Sequence, residues 1–387
     1  MAAPAESPAL RETRASRVPA LDSIRFVAFV AIYGVHSLFG VVSARWLYPP
    51  AFGIDLFFVL SSFLITSLLV EERRTTGTLQ VGRYYMRRLL RIWPLYFGYL
   101  VTAFALTQWS GGAAIGFEPI DDGYWVSHGL FVGNWYSAFA GYPESNIAHL
   151  WSVGVEEQFY IAWPLLLLLV RRRILLLSAI LIGVSVTARV VVAAIGLEHP
   201  ATWVMTITRL DPIAAGAALA VVSRRWAMAI KPWLAWTLFA GGFAVWQLGM
   251  IFPVDHGGYG AALLSYGAGT AAAVLILIAV LAPTGSLTRL MSNRLMVRLG
   301  RISYGLYVFH LMALSITIWL LSPRIVDPTR SWLFPLIGFP ITWALAELSY
   351  RFLEEPFLRL KDRFTVVRTL ETVPTQVDTP VPAPAEA

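Results

Sequence analysis

The chain has 387 residues, of which 57% are hydrophobic, 13% aromatic and only 14% charged, with a mean hydropathy of +0.64. That is too little charge to cover a water-facing globule of this size, so a soluble enzyme or binding module is excluded. There is no cysteine, which removes disulfides, thiolate metal centres and a cysteine nucleophile together. The formal charge of +7 does not point to nucleic acid here, because the basic residues sit between apolar runs and read as membrane-orientation signals.

In chain order, residues 1–20 are polar, Ala/Pro-rich and Arg-bearing, lack the apolar core of a signal peptide, and are expected to be flexible. About ten candidate spans follow, near 22–43, 52–70, 90–108, 150–170, 173–196, 204–222, 232–252, 261–282, 302–322 and 332–353, each long enough to cross ~30 Å of hydrocarbon as a helix. The expected fold is therefore all-α, a polytopic membrane protein with one transmembrane domain over 21–363. A Pro/Ala-rich tail over 364–387 is expected to be disordered. No internal repeat of useful length is present.

Orientation follows from the Lys and Arg outside the spans. With the N-terminus inside, 23 fall on the inner side and only Arg45, Arg324 and Arg330 on the outer side. This asymmetry places both termini in the cytoplasm. The segment 109–149 has no Lys or Arg and many aromatics, and is expected outside, lying on the membrane or capping a cavity.

Ionisable residues at membrane depth each need a partner or a task. In the first span Arg25 and His36 are eleven residues apart, which places them on one helix face ~16 Å apart along the axis. Asp22 shares that face and can pair with Arg25. The plain alternative is an arginine that snorkels to the interface and a histidine bonded to a neighbouring carbonyl. In the fourth span His149, Ser152, Glu156 and Tyr160 form one stripe at helical spacing, with Glu157 turned ~100° away. Arg189, Arg209, Asp211 and Asp55 fall at a similar depth to His36 and Glu156. Either the six line one polar chamber, or the last four are structural ion pairs. His310 in the ninth span is catalytic or a buried hydrogen-bonded histidine, whereas His128, His199 and His256 lie in outer segments and are expected to be solvated. The run Arg83-Tyr84-Tyr85-Met86-Arg87-Arg88-Leu89-Leu90-Arg91-Ile92-Trp93-Pro94 is dense in arginine. It serves as a positive-inside anchor, as a phosphate site, or as both. No Gly-x-Ser-x-Gly elbow is present, which argues against serine hydrolase chemistry. A relay of buried ionisable groups also suits a secondary transporter or flippase, but the inverted repeats and interrupted paired helices of transporters are not found.

Taken in order, these segments resemble the acyltransferase family 3 proteins, integral membrane O-acyltransferases, over about 20–360. The resemblance rests on Leu21-Asp22-Ser23-Ile24-Arg25 with His36, on Gly53-Ile54-Asp55-Leu56-Phe57-Phe58-Val59-Leu60-Ser61-Ser62-Phe63-Leu64-Ile65, and on Arg88-Leu89-Leu90-Arg91-Ile92-Trp93-Pro94. It continues with His149-Leu150-Trp151-Ser152 and Val155-Glu156-Glu157-Gln158-Phe159-Tyr160, Arg209-Leu210-Asp211, Ile302-Ser303-Tyr304 with His310, and Ser349-Tyr350-Arg351-Phe352-Leu353-Glu354. Ser62 departs from the family's usual glycine and Glu355 from a common basic residue, and a stand-alone form, without the soluble hydrolase-like domain that some members append, is expected.

The resemblance implies an enzyme of the bacterial inner membrane. It would move an acetyl or other short acyl group from acyl-CoA to a hydroxyl of a carbohydrate or a macrolide-type metabolite, without a metal. His36 is then expected as general base or acyl carrier, with Glu156 and Arg25 completing the catalytic set. Arg88, Arg91 and Arg83 are expected to hold the coenzyme A phosphates, and Asp55, His149, Arg209, Asp211 and His310 to line the substrate chamber. A hydroxyl-bearing small molecule or glycan and the lipid bilayer are the expected partners, with no nucleic acid; the sequence leaves the oligomeric state open.

Overall fold

A computed structural model describes residues 19–38, 40–42, 53–110, 118–170, 173–197, 199–225, 230–249, 258–282 and 284–365. The expectations for 1–18, for 366–387 and for His256 lie outside the described residues. Among the described residues the structure is all-α, and nine helices are long and apolar enough to cross a membrane.

The first half of the chain contributes α1 (Pro19–Leu38), α2 (Gly53–Thr76), α3 (Val81–Ser110), α4 (Asp122–Gly129), α5 (Gly133–Ala140), α6 (Trp151–Val170) and α7 (Ile174–Ala194). The second half contributes α8 (Ala201–Val204), α9 (Leu210–Arg225), α10 (Pro232–Gly249), α11 (Gly258–Val280), α12 (Ser286–Met291), α13 (Arg294–Arg301), α14 (Ser303–Leu321), α15 (Leu333–Ser349) and α16 (Glu355–Lys361). One buried cluster joins α1, α3, α6 and α14, and a second joins α1, α2, α9, α10 and α11. The expected span at 232–252 becomes α10, which carries Trp233, Trp236, Trp246 and Gln247, falls outside the nine, and packs along α11.

Two boundaries depart from the hydropathy pattern. Helix α3 begins at Val81, not near 90, so the arginine-rich run is its first two to three turns rather than a loop. Apolarity marks only the part of a helix that meets hydrocarbon, whereas the helical spacing of Arg83, Arg87 and Arg91 continues beyond it. At the other end of the chain, α15 passes into a π-helical turn, Tyr350–Glu354, before α16 resumes. The start of the expected tail is also anchored, since Arg87 donates to the Phe364 carbonyl at 2.8 Å.

Helices α2 and α9 cross closely. A Cβ on Gly216 of α9 would strike the Val59 carbonyl and the Ser62 hydroxyl, so only glycine fits there. Ser62 stands in place of the family's usual glycine, and the close approach is supplied from the partner helix instead.

The segment 118–150 forms a cap over the end of the bundle away from the arginines. Its short helices are tied down by polar stitches. Tyr96 donates to the His128 carbonyl and Tyr99 to the Asn146 carbonyl, both at 2.8 Å. Gln158 of α6 donates to the Phe131 carbonyl at 2.7 Å and to the Asn134 side chain at 2.8 Å. His128, expected to be solvated, is instead buried, with Nδ1 against the Tyr124 carbonyl at 2.8 Å and its ring packed on Gly133. Aromatic packing of this cap outweighs the polarity of a single ring.

Burial lowers the His128 pKa from its ordinary 6.5 to about 4. The folded protein therefore holds this ring neutral while the unfolded chain binds a proton between those values. Stability is full above pH 6.5 and falls as pH drops from there toward 4. Thermal unfolding of detergent-solubilised protein should shift to lower temperature across that window, and His128→Gln should flatten the dependence.

Candidate functional site

A cavity of about 570 Å³ penetrates the bundle from the arginine-bearing end. Its wall on α2 is Ile54, Phe57, Ser61, Leu64 and Leu68, one helix face. Fourteen residues from Ile54 to Leu68 at 1.5 Å each make it ~21 Å deep. At the mouth stand Arg25, Arg87, Arg88, Arg91 and Lys361, and Glu156 is the one carboxylate among the lining side chains.

The mouth cations are held in place by neighbouring groups. Arg25 pairs with Asp22 at 2.6 Å and Arg87 with Glu72 at 3.2 Å. The Arg88 guanidinium lies over the Tyr160 ring at 5.5 Å. Arg91 has Arg25, Arg88 and Glu354 as charged neighbours. Glu354 is brought there by the π-helical turn, where it is buried with Oε1 unpaired. Guanidinium forks at a cavity entrance suit phosphate oxygens. Arg83, one of the three arginines expected to bind phosphate, is exposed and outside the lining, because it stands in the first turn of α3, one turn beyond Arg87 and past the cavity mouth. Arg87, which sequence reasoning did not select, takes a place in the wall.

Halfway in, Glu156 accepts from Ser61 at 3.0 Å and from Tyr160 at 2.8 Å. The stripe Ser152–Glu156–Tyr160 on α6 faces the cavity together, and Glu157 turns away to accept from the Trp93 indole at 3.2 Å. The far end of the cavity is closed by Ser152, Ile54, Phe57 and Tyr307. The Tyr307 hydroxyl donates to the His149 carbonyl at 2.7 Å and accepts at 2.6 Å from the Ser152 hydroxyl, which also lies 3.3 Å from that carbonyl.

Directly beyond that layer lie three histidines. The His310 ring centroid is 4.9 Å from His149 and 5.1 Å from His36. Tyr307 contacts the same group, 5.2 Å from His149 and 5.6 Å from His310. His149 Nε2 meets the Val308 carbonyl at 3.0 Å and His310 Nδ1 the Tyr307 carbonyl at 2.5 Å, leaving His149 Nδ1 and His310 Nε2 without partners. His36 is the exposed member of the three. Because α1 is unbroken, Arg25 and His36 lie on one face, Arg25 at the mouth and His36 in the histidine cluster. His36 and Glu156 are therefore not in one open chamber, since the Tyr307 layer stands between the cavity and the histidines. Among the described residues no cluster of histidine and carboxylate has the arrangement of a metal site.

The remaining ionisable residues form a second, separate group. Arg209 pairs with Asp55 and Arg189 with Asp211, all four almost without exposure. The Arg209 guanidinium is sandwiched against Trp203 at 4.4 Å and Tyr266 at 5.0 Å, and Asp211 also accepts from Ser185 at 2.9 Å and Thr270 at 2.8 Å. The expectation that Asp55, Arg209 and Asp211 line the same chamber as His36 and Glu156 is corrected by this packing. Asp55 follows Ile54 by one residue, a ~100° turn that carries it from the cavity face of α2 to the face against α9. Equal depth did not mean a shared face.

A polytopic bundle with a basic-mouthed cavity ending beneath histidines fits a membrane acyltransferase. The profile of the acyltransferase domain matches residues 18–350, and the chain belongs to that family. It is similar to the peptidoglycan O-acetyltransferase OatA of Listeria monocytogenes, with 28% identity over 89% of this chain and 57% of that protein. The O-acetyltransferase OatA of Staphylococcus aureus strain NCTC 8325 is 27% identical over 88% of this chain and 57% of its own length. The chain thus spans a little over half the length of these relatives. No solved structure matches it at a significant level.

Removing one partner of a buried ion pair strands the other charge. Asp55→Asn should lower stability by roughly 3–5 kcal/mol, read as an earlier thermal unfolding in detergent. The double replacement Asp55→Leu, Arg209→Met should recover much of that loss.

Proposed function

We propose that this chain transfers an acetyl group from acetyl-CoA to a hydroxyl of a glycan, working in the bacterial inner membrane with both termini in the cytoplasm. The observation that carries the reading is the ~21 Å cavity, cationic at its mouth and ending one side-chain layer short of His36, His149 and His310. A donor with several phosphates and a long flexible arm fits such a shape. The arginine-rich end, read as the cytoplasmic side, is where coenzyme A thioesters are available. A glycan is preferred to a macrolide-type acceptor because a relative carries a peptidoglycan O-acetyltransferase name.

In this reading Arg88, Arg91 and Arg87 bind the donor phosphates, with Arg25 beside them. The acceptor hydroxyl approaches from the opposite side, where His36 is exposed. His36 takes the hydroxyl proton as the new C–O bond forms. His310 and His149 hold the neighbouring space free of competing charge. Glu156, anchored by Ser61 and Tyr160, supplies a negative charge deep in a cationic cavity and sets the position of Arg88 and Arg91. A transporter reading draws less support, because the buried ions outside this site are closed in pairs rather than arranged as a relay.

Purified protein supplied with acetyl-CoA and a glycan acceptor should release coenzyme A in an acceptor-dependent way. His36→Ala should lower that rate by roughly 10²–10⁴-fold with little change in donor KM, as expected for loss of a general base. Arg91→Gln should act mainly on donor KM, by an amount matching the ~1.5–3 kcal/mol of a charged hydrogen bond. Absence of acceptor-dependent release from the wild-type protein with any acyl-CoA overturns the reading.

A further inference from the structure

The far end of the donor cavity raises a chemical requirement that the histidines do not meet. When an acceptor oxygen attacks a thioester, the carbonyl π pair moves onto oxygen, and the resulting oxyanion needs hydrogen-bond donors already in place. In many folds backbone N–H groups supply them. Tyr307 lies inside α14, where the neighbouring amides are used by the helix's own turns. On that side the donors must come from side chains.

The lining side chains of the cavity can be sorted by what they already hold. The hydroxyls of Ser61 and Tyr160 are bound to Glu156, and that of Tyr304 to the Ile92 carbonyl at 3.2 Å. The arginines stand at the mouth. At the closed end only Ser152 and Tyr307 present hydroxyls, one from α6 and one from α14, 2.6 Å apart and both buried. In this state the Tyr307 proton goes to the His149 carbonyl at 2.7 Å, and the Ser152 proton is shared between the Tyr307 oxygen at 2.6 Å and that carbonyl at 3.3 Å. Both protons can turn to an oxygen arriving at the cavity end, because the His149 carbonyl keeps the Trp151 backbone N–H as a donor. On the opposite side of the Tyr307 ring are His310 and His149, with His36 adjoining His310.

We propose that the Ser152–Tyr307 hydroxyl pair is the oxyanion-stabilising element of the acyl-transfer site, binding the thioester carbonyl oxygen at the end of the donor cavity. The inference rests on the acyl-CoA reading above. In the step, the acceptor oxygen forms a bond to the carbonyl carbon and gives its proton to the base. The carbonyl pair moves to oxygen and is held by the two hydroxyls. Collapse re-forms the carbonyl and breaks the C–S bond, and the departing thiolate takes up the proton. Neither hydroxyl is consumed, and no redox change occurs.

The test uses the full chain in detergent with acetyl-CoA and a soluble peptidoglycan oligosaccharide, measuring coenzyme A release. Tyr307→Phe keeps the ring that packs on His149 and His310 while deleting the hydroxyl. It should lower kcat by on the order of 10²-fold with donor KM within a few-fold of wild type. Ser152→Ala should behave alike, Ser152→Thr should retain more activity than Ser152→Ala, and the double variant should lose less than the product of the single losses. A near-normal kcat in Tyr307→Phe overturns the proposal. So does a loss confined to KM, or a gain of longer acyl donors, either of which makes the pair a wall. Should Tyr307→Phe fail to give folded protein, the Ser152→Ala and Ser152→Thr comparison decides on the same criteria. Wild-type protein that releases no coenzyme A fails the acyl-CoA reading itself and this inference with it, whereas active wild type with unaffected variants fails the pair alone.

Discussion

Asp55 and Arg209 meet where no water is available to either, and the orientation of α2 depends on that meeting. A carboxylate and a guanidinium removed from water must find each other or forfeit several kcal/mol apiece. The pair therefore fixes which face of α2 turns toward α9, and Gly216 lets the two helices approach closely enough for it to form. Because a helix is rigid, fixing one face fixes the opposite one. The residues one step around, Ile54, Phe57 and Ser61, are thereby presented to the cavity. Arg189 and Asp211 repeat the device between α7 and α9.

The consequence for the site is a division along the bundle axis. Charge gathers at one end, where Arg25, Arg87, Arg88 and Arg91 crowd a mouth balanced by Asp22, Glu72 and Glu354 behind them. Hydroxyls and a single carboxylate occupy the middle. Imidazoles lie beyond, under a cap stitched by tyrosine and glutamine side chains. A donor and an acceptor arriving from opposite ends would each meet chemistry suited to it, with one aromatic layer at the point where they face each other.

Much of this was legible in the sequence. The helical bundle followed from apolar runs, and the Ser152–Glu156–Tyr160 stripe and the inward turn of Arg25 and His36 followed from 3.6-residue spacing. What failed in the chamber had a common cause. Depth along a helix can be counted from sequence, but azimuth relative to a neighbour cannot, so Asp55, Arg209 and Asp211 were placed in a chamber they do not line. Arg87 and Arg83 were exchanged for a different reason: they share a face of α3, and only the packed structure shows that the cavity mouth ends at Arg87, one turn short of Arg83. His149 is brought to His310 where its Nε2 meets the carbonyl of Val308, 159 residues further along the chain, a long-range contact no local period encodes. The one available signal for Tyr307 was its spacing of three from His310, which puts both on one side of α14.

The π-helical turn at Tyr350–Glu354 carries an implication for how this chain can vary. Such a turn holds one more residue than an α-helix of equal rise, so everything after it is rotated by about 100° relative to an uninterrupted helix. That rotation directs Glu354 inward toward Arg91 and sets the path of α16, with Lys361 and Thr365 at the cavity mouth. Glu354 is tied to its place by Arg91, and the length of the stretch is tied as well. Removal of a single residue would leave the composition almost untouched while re-aiming every group downstream, so the segment is expected to tolerate no change of length.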